Sequence, residues 1–140
     1  MNKMSKIHEL ITQEKHPAVQ LVLRALAHVK DKIANGADVD VIYNNNYDYL
    51  VVMTKTDRLI IKKVEVQGVD RIRVVYVRIN KHYCEGTKVT LKQYVINYNK
   101  ELLTSLIYQI DIAVSSAVID GTNIDESIDD IVSILKALSK

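Results

Sequence analysis

The chain has no tryptophan, no phenylalanine, one cysteine, one proline and four glycines in 140 residues. Each shortage excludes something. Cys84 alone can close no internal disulfide, so nothing points to an oxidising compartment. Beside Tyr83 it reads as inert packing and not as a nucleophile. His8, His16, His28 and His82 fall at no metal-ligand spacing, which argues against a zinc site. Gly36, Gly68, Gly86 and Gly121 stand singly, so there is no glycine-rich phosphate loop. No uninterrupted apolar run approaches the roughly 20 residues that span a bilayer. The opening stretch MNKMSKIHELITQEKH is too polar for a secretory leader. The expectation is a cytoplasmic protein without a membrane role, a metal, a cofactor or a small-molecule substrate.

What is present is aliphatic. Hydrophobic residues make up 48% and charged residues 26% of the chain, a balance that excludes wholesale disorder. With eight tyrosines as the only aromatic residues, the core must be built from Ile, Val and Leu. A chain of this length fits one domain, 1–140, around one core.

The net charge of +2 conceals a segregation. Residues 1–54 hold six Lys/Arg and six Asp/Glu; residues 55–100 hold eleven against four, a net of +7; residues 101–140 hold two against seven, a net of −5. Such sorting bears on partners and association more than on fold.

The periodicity divides the chain in three. Val19, Val22, Leu23, Leu26, Val29 and Ile33 recur at helical steps after Pro17, a first-turn residue, and before Asn35-Gly36, a helix stop. A shorter helix carrying Ile7, Leu10 and Ile11 precedes them, giving N-terminal helices over 1–36. The spacing then drops to two. Val39–Tyr43, Asp48–Met53, Leu59–Val66 and Arg71–Asn80 read as four strands separated by the turn stretches NNN, TKTD and QGVD, a basic antiparallel meander over 37–89. With Gly68-Val69 as the turn, Val66 would face Arg71, Val64 would face Arg73 and Lys62 would face Val75. From Thr90, which with Gln93 matches a capping box, a helical pattern runs from Leu91 through Val95 and Leu102 to Val118. Asn123 and Glu126 match a second box before a last helix, so 90–140 reads as C-terminal helices. The expected fold class is α+β: a bundle of about four helices interrupted by a four-stranded antiparallel meander that projects from it or covers it.

The cations of the meander region are Lys55, Arg58, Lys62, Lys63, Arg71, Arg73, Arg78, Lys81, Lys88 and Lys92. Of these, Lys62, Lys63, Arg71, Arg73, Arg78 and Lys81 are the candidate nucleic-acid contacts, with Tyr43, Tyr47, Tyr49, Tyr76 and Tyr83 as faces for base stacking. The plainer reading is that charged residues guard a solvated sheet against aggregation. Alternation sets Arg71 and Arg73 on the face opposite Arg78. The acidic Asp111, Asp120, Asp125, Glu126, Asp129 and Asp130 could meet a basic neighbour, though four of them precede or open the last helix, where its dipole favours negative charge. A metal-dependent nuclease would have to draw on Asp48, Asp57, Glu65 and Asp70, with Lys63 nearby in an order reversed from the usual Glu-x-Lys. No catalytic residue is assigned.

Three stretches, HPAVQLVLRALAHVKDKIANG, RLIIKKVEVQGVDRIRVVYVRIN and ELLTSLIYQIDIAV, give a helical bundle, a basic β-insertion and the return of the bundle. In that architecture the chain resembles the small subunit of archaeal type I-A CRISPR interference complexes. The resemblance implies a non-catalytic subunit of a nucleoprotein assembly in antiviral defence; the +7 segment adds the expectation that it contacts nucleic-acid backbone, without sequence preference, through the basic β-region, and protein partners through its helices. The resemblance assigns no residue roles. The alternative is a structural or protein-interaction module of an archaeon or archaeal virus that self-associates and has no nucleic-acid role.

Overall fold

The structure, a computed structural model, describes residues 5–82, 86–121 and 124–140, and side chains outside 80–88. Helices α1 (Lys6–Gln13) and α2 (Pro17–Ala34) come first, then strands β1 (Asp40–Tyr43), β2 (Tyr49–Met53), β3 (Asp57–Val66), β4 (Val69–His82) and β5 (Gly86–Asn97). Helix α3 (Lys100–Asp120), a 3-10 turn (Ile124–Ser127) and α4 (Ile128–Leu138) close the chain. The fold is α+β, as the sequence pattern implied.

Local chemistry explains most of the boundaries. Pro17 opens α2, and His16 caps it, Nδ1 accepting from the Ala18 N–H at 3.2 Å. Gly36, at φ 80°, takes the left-handed backbone that follows the helix end. Gly121, at φ 74°, ends α3 in the same way. Two left-handed residues in succession, Gln67 at φ 52° and Gly68 at φ 76°, make the two-residue β3–β4 turn, whose twist matches that of its strands.

One correction concerns residues 90–97. They form the last eight residues of a fifth, twelve-residue strand, not the start of a helix, so the sheet has five strands and the C-terminal helices begin at Lys100. Leu91 and Val95 satisfy a helical step, but strand β5 pairs with β4 over twelve residues. That ladder satisfies backbone groups which β4 would otherwise leave along an open edge. The working cap of α3 is Asn99, whose side chain accepts from Leu102 N–H at 3.0 Å. Asn123 of the second proposed box lies outside the described residues; Ser127 occupies the N-cap position of α4, and its side chain makes no capping hydrogen bond there.

A second correction concerns register. The turn is Gln67-Gly68, so Val66 pairs with Val69, Val64 with Arg71 and Lys62 with Arg73.

The sheet is antiparallel in chain order, β1-β2-β3-β4-β5. Its inner face, carrying Leu50, Val52, Leu59, Ile61, Ile72, Val74 and Ile96, joins Val19, Leu23 and Leu26 of α2 and residues from α1, α3 and α4 in one continuous core. The meander thus covers the helices as a layer. Helix α3 is long and apolar enough to cross a bilayer by composition, yet Leu103, Leu106, Ile107, Ile110, Ala113, Val114 and Ala117 are buried within this core. Ion pairs tie the acidic C-terminal region back to the N-terminal helices: Lys30 Nζ lies 3.0 Å from Asp125, and Lys6 pairs with Asp129.

Candidate nucleic-acid interface

Alternation and register together fix what the outer face of the sheet carries. Side by side across all five strands stand Ile42, Val51, Ile60, Val75 and Gln93. On one side of this apolar row lies Asp40–Met53–Arg58–Val77–Leu91. On the other lies Tyr49–Lys62–Arg73–Val95, and beyond that Val64–Arg71–Asn97. The helices pack against the inner face; on the outer one Ile42, Tyr49, Leu91 and Val95 are exposed, Lys62, Arg71 and Arg73 are partly exposed, and Val51 and Val75 at its centre are buried.

Three of the six expected contacts meet here. Lys62 and Arg73 are direct cross-strand partners, and Arg71 is two residues from Arg73 on the same face. Arg71 Nη1 donates to Asn97 Oδ1 at 2.5 Å. Among the described residues no carboxylate lies within ion-pair distance of Arg58, Lys62, Arg71 or Arg73. Like charges placed directly opposite each other on a sheet are destabilising unless an anion sits between them. Arg58, in the next row but one, adds a fourth cation to this face.

The other candidates are elsewhere. Lys63 points to the helix side, 3.7 Å from Asp70 Oδ2 and 5.2 Å from the Tyr98 ring centre. Arg78 also faces the helices, its Nε 3.7 Å from Asp57 Oδ1. The Lys81 side chain and Tyr83 lie outside the described residues.

Of the tyrosines offered for stacking, Tyr49 alone shares the outer face with the cations. Tyr43 and Tyr47 stack on each other, ring centres 5.4 Å apart. The nearby Asp111 carboxylate of α3 raises the Tyr43 pKa. Tyr76 is on the inner face, where burial first, and then the Asp57 carboxylate, push its pKa strongly upward against the opposing Arg78.

The carboxylates a nuclease would need are not gathered. Asp48 is held in the β1–β2 turn by Asn44, Asp57 is buried beside Arg78, and only Glu65 and Asp70 are neighbours, across the β3–β4 hairpin. No group of three or more metal-ligating side chains occurs among the described residues.

Arg24 of α2 escaped the sequence reading. It lines one cavity with Arg78, Thr90 and Lys92 on the helix side of the sheet. Its distance along the chain from β4 and β5 leaves no local signal of that meeting. No family model, curated protein or solved structure matches this chain.

Proposed function

We propose that this chain is a non-catalytic binding subunit that holds the backbone of single-stranded nucleic acid on the open face of its sheet. The observation that supports this reading best is the pairing of Lys62 with Arg73, flanked by Arg71 and lacking any described carboxylate. A phosphate bridging the pair turns an unfavourable contact into two charge-assisted ones. Tyr49 stands next to Lys62 in the same row, so a base has a ring to stack on beside the phosphate site. The chemistry is sequence-tolerant because nothing in that row reads base edges.

Measuring the affinity of labelled single-stranded and duplex oligonucleotides at several salt concentrations tests this. Neutralising three phosphates on a single strand gives a slope of log K against log salt near −2, from about −0.7 per contact. Absence of binding, or binding indifferent to salt, overturns the reading.

A second contact is favoured by α3. The helix is apolar around most of its circumference, with Tyr108, Ile112, Val118 and Ile119 exposed outside the core. Helices apolar on every side are normally covered on every side. This outer stripe is where a second protein subunit packs. The resemblance to the CRISPR small subunit, itself a proposal, supplies a setting in which strand and subunit contacts occur together. Sedimentation of Ile112→Asp against the parent chain checks the protein contact; equal association in both variants removes it.

A further inference from the structure

The inner face carries a second cationic site, separate from the open one. Arg78 pairs directly with Thr90, and Tyr76 with Lys92, across β4 and β5. Facing them, α2 presents Leu21, Arg24 and His28 at three- and four-residue steps, the spacing of one helix face. These seven side chains line a cleft of about 160 Å³, well above the roughly 10–15 Å³ that admits a single water.

Its charge is unbalanced. Arg24, Arg78 and Lys92 are three cations at the rim, all exposed. The carboxylate beside Arg78, Asp57, is 4% exposed, with its Oδ1 sealed from solvent and 3.7 Å from Arg78 Nε, too far for a hydrogen bond. The two guanidinium groups therefore retain free donors, and Thr90 adds a hydroxyl. Asp31 and Lys32, further along α2, offset one another. Three cations against one buried carboxylate leave two positive charges, the complement of a phosphomonoester, which carries about −1.5 to −2 at pH 7.

The geometry points to this cleft as a binding site for a single phosphomonoester group, held by the Arg24 and Arg78 forks, the Lys92 ammonium and the Thr90 hydroxyl. A phosphodiester backbone, with one charge per unit along an extended path, suits an open surface better than a cleft lined by α2, β4 and β5. Burial first, and then Arg78, hold the His28 pKa below its ordinary value, while Asp57 and Asp31 oppose the shift. None of these residues lies on the open face, so the site stands or falls independently of the strand-binding reading.

Adenosine 5′-monophosphate and adenosine, titrated at constant ionic strength while the amide and ring signals of the labelled protein are followed, make the test. The expected result is saturable shifts at Arg24, His28, Thr90 and Lys92 with the monophosphate, and none with adenosine. Arg24→Gln/Lys92→Gln, both at exposed positions, should weaken the monophosphate at least tenfold, while Lys62→Gln/Arg73→Gln leaves it unchanged. Equal responses to nucleotide and nucleoside, shifts that never saturate, or equal affinity in the Arg24/Lys92 double variant overturn the inference. Single-stranded tetranucleotides with and without a 5′-phosphate then identify the source. Tighter binding of the phosphorylated strand than of the mononucleotide marks a strand end, and equal binding marks a free phosphate compound.

Discussion

Lys62 and Arg73 stand directly opposite each other on β3 and β4, on the face that no helix covers. Cross-strand pairs of opposite sign contribute roughly 0.2–1 kcal/mol, and like charges so placed oppose folding. Neutralising one member should therefore move stability and binding in opposite directions. Arg73→Gln is expected to stabilise the fold slightly, by a free energy within that range, read as a raised urea midpoint. The same change should weaken single-stranded oligonucleotide binding and flatten its salt slope by about one contact. Loss of both stability and binding would mean that Arg73 holds the sheet together and not a ligand.

Tyr49 neighbours Lys62 across β2 and β3 and is the one tyrosine on that face among the described residues. Tyr49→Ala should cost about 1–3 kcal/mol of affinity for a single strand, the usual value of one stacked base. Duplex binding, in which the bases are already stacked, should change little. Fluorescence anisotropy with both ligands separates the two outcomes.

At the β3–β4 turn, Gln67 and Gly68 both have positive φ. Left-handed backbone costs an ordinary residue roughly 1–2 kcal/mol, less for Asn and nothing for Gly. Gln67→Asn should stabilise by several tenths of a kcal/mol on that scale. Gly68→Ala should destabilise by about 1 kcal/mol, for conformational reasons alone, because an added Cβ meets nothing within 4 Å. Chemical denaturation of the two variants measures both.

That turn also shows how far local sequence carries. Taking Gly68-Val69 as the turn instead of Gln67-Gly68 misplaces the loop by one residue and the pairing by two. A two-residue slip preserves parity, so Arg71 and Arg73 are still assigned to the face opposite Arg78. The partner of Lys62, however, changes from Val75 to Arg73, and with it the like-charge contact that matters most. The first four strands and α2 are legible because turn residues, Pro17 and Gly36 mark their ends within a few positions. TLKQYVIN is not, since Leu91 and Val95 satisfy a helical step while Thr, Val and Ile suit a strand; pairing with the preceding strand β4, which lies outside that stretch, decides. Nor could the segment charges tell which face the helices would cover, and Arg24 shares a cavity with Arg78 only through that packing.

His28 offers a test of the inner-face electrostatics. Its ring centre lies 6.0 Å from that of Tyr76, and its pKa is lowered from 6.5 by burial and then by Arg78, while Asp57 and Asp31 oppose the shift. Arg78→Gln removes a lowering influence and leaves the Asp57 carboxylate without its cation. Both changes favour the imidazolium, so the His28 pKa should rise, as read from its ring protons in an NMR titration. The sign for stability follows by linkage. The unfolded chain takes up the His28 proton as pH falls through 6.5, whereas the folded chain takes it up only at lower pH. The contribution of neutral His28 is thus fully present above that value and is lost as pH drops below it, down to the folded pKa. Substituting His28→Gln should remove this component of the pH dependence, and Arg78→Gln should reduce it. An unchanged stability profile in His28→Gln, with the carboxylates titrating as before, would show that Arg78 and burial exert no net hold on the ring.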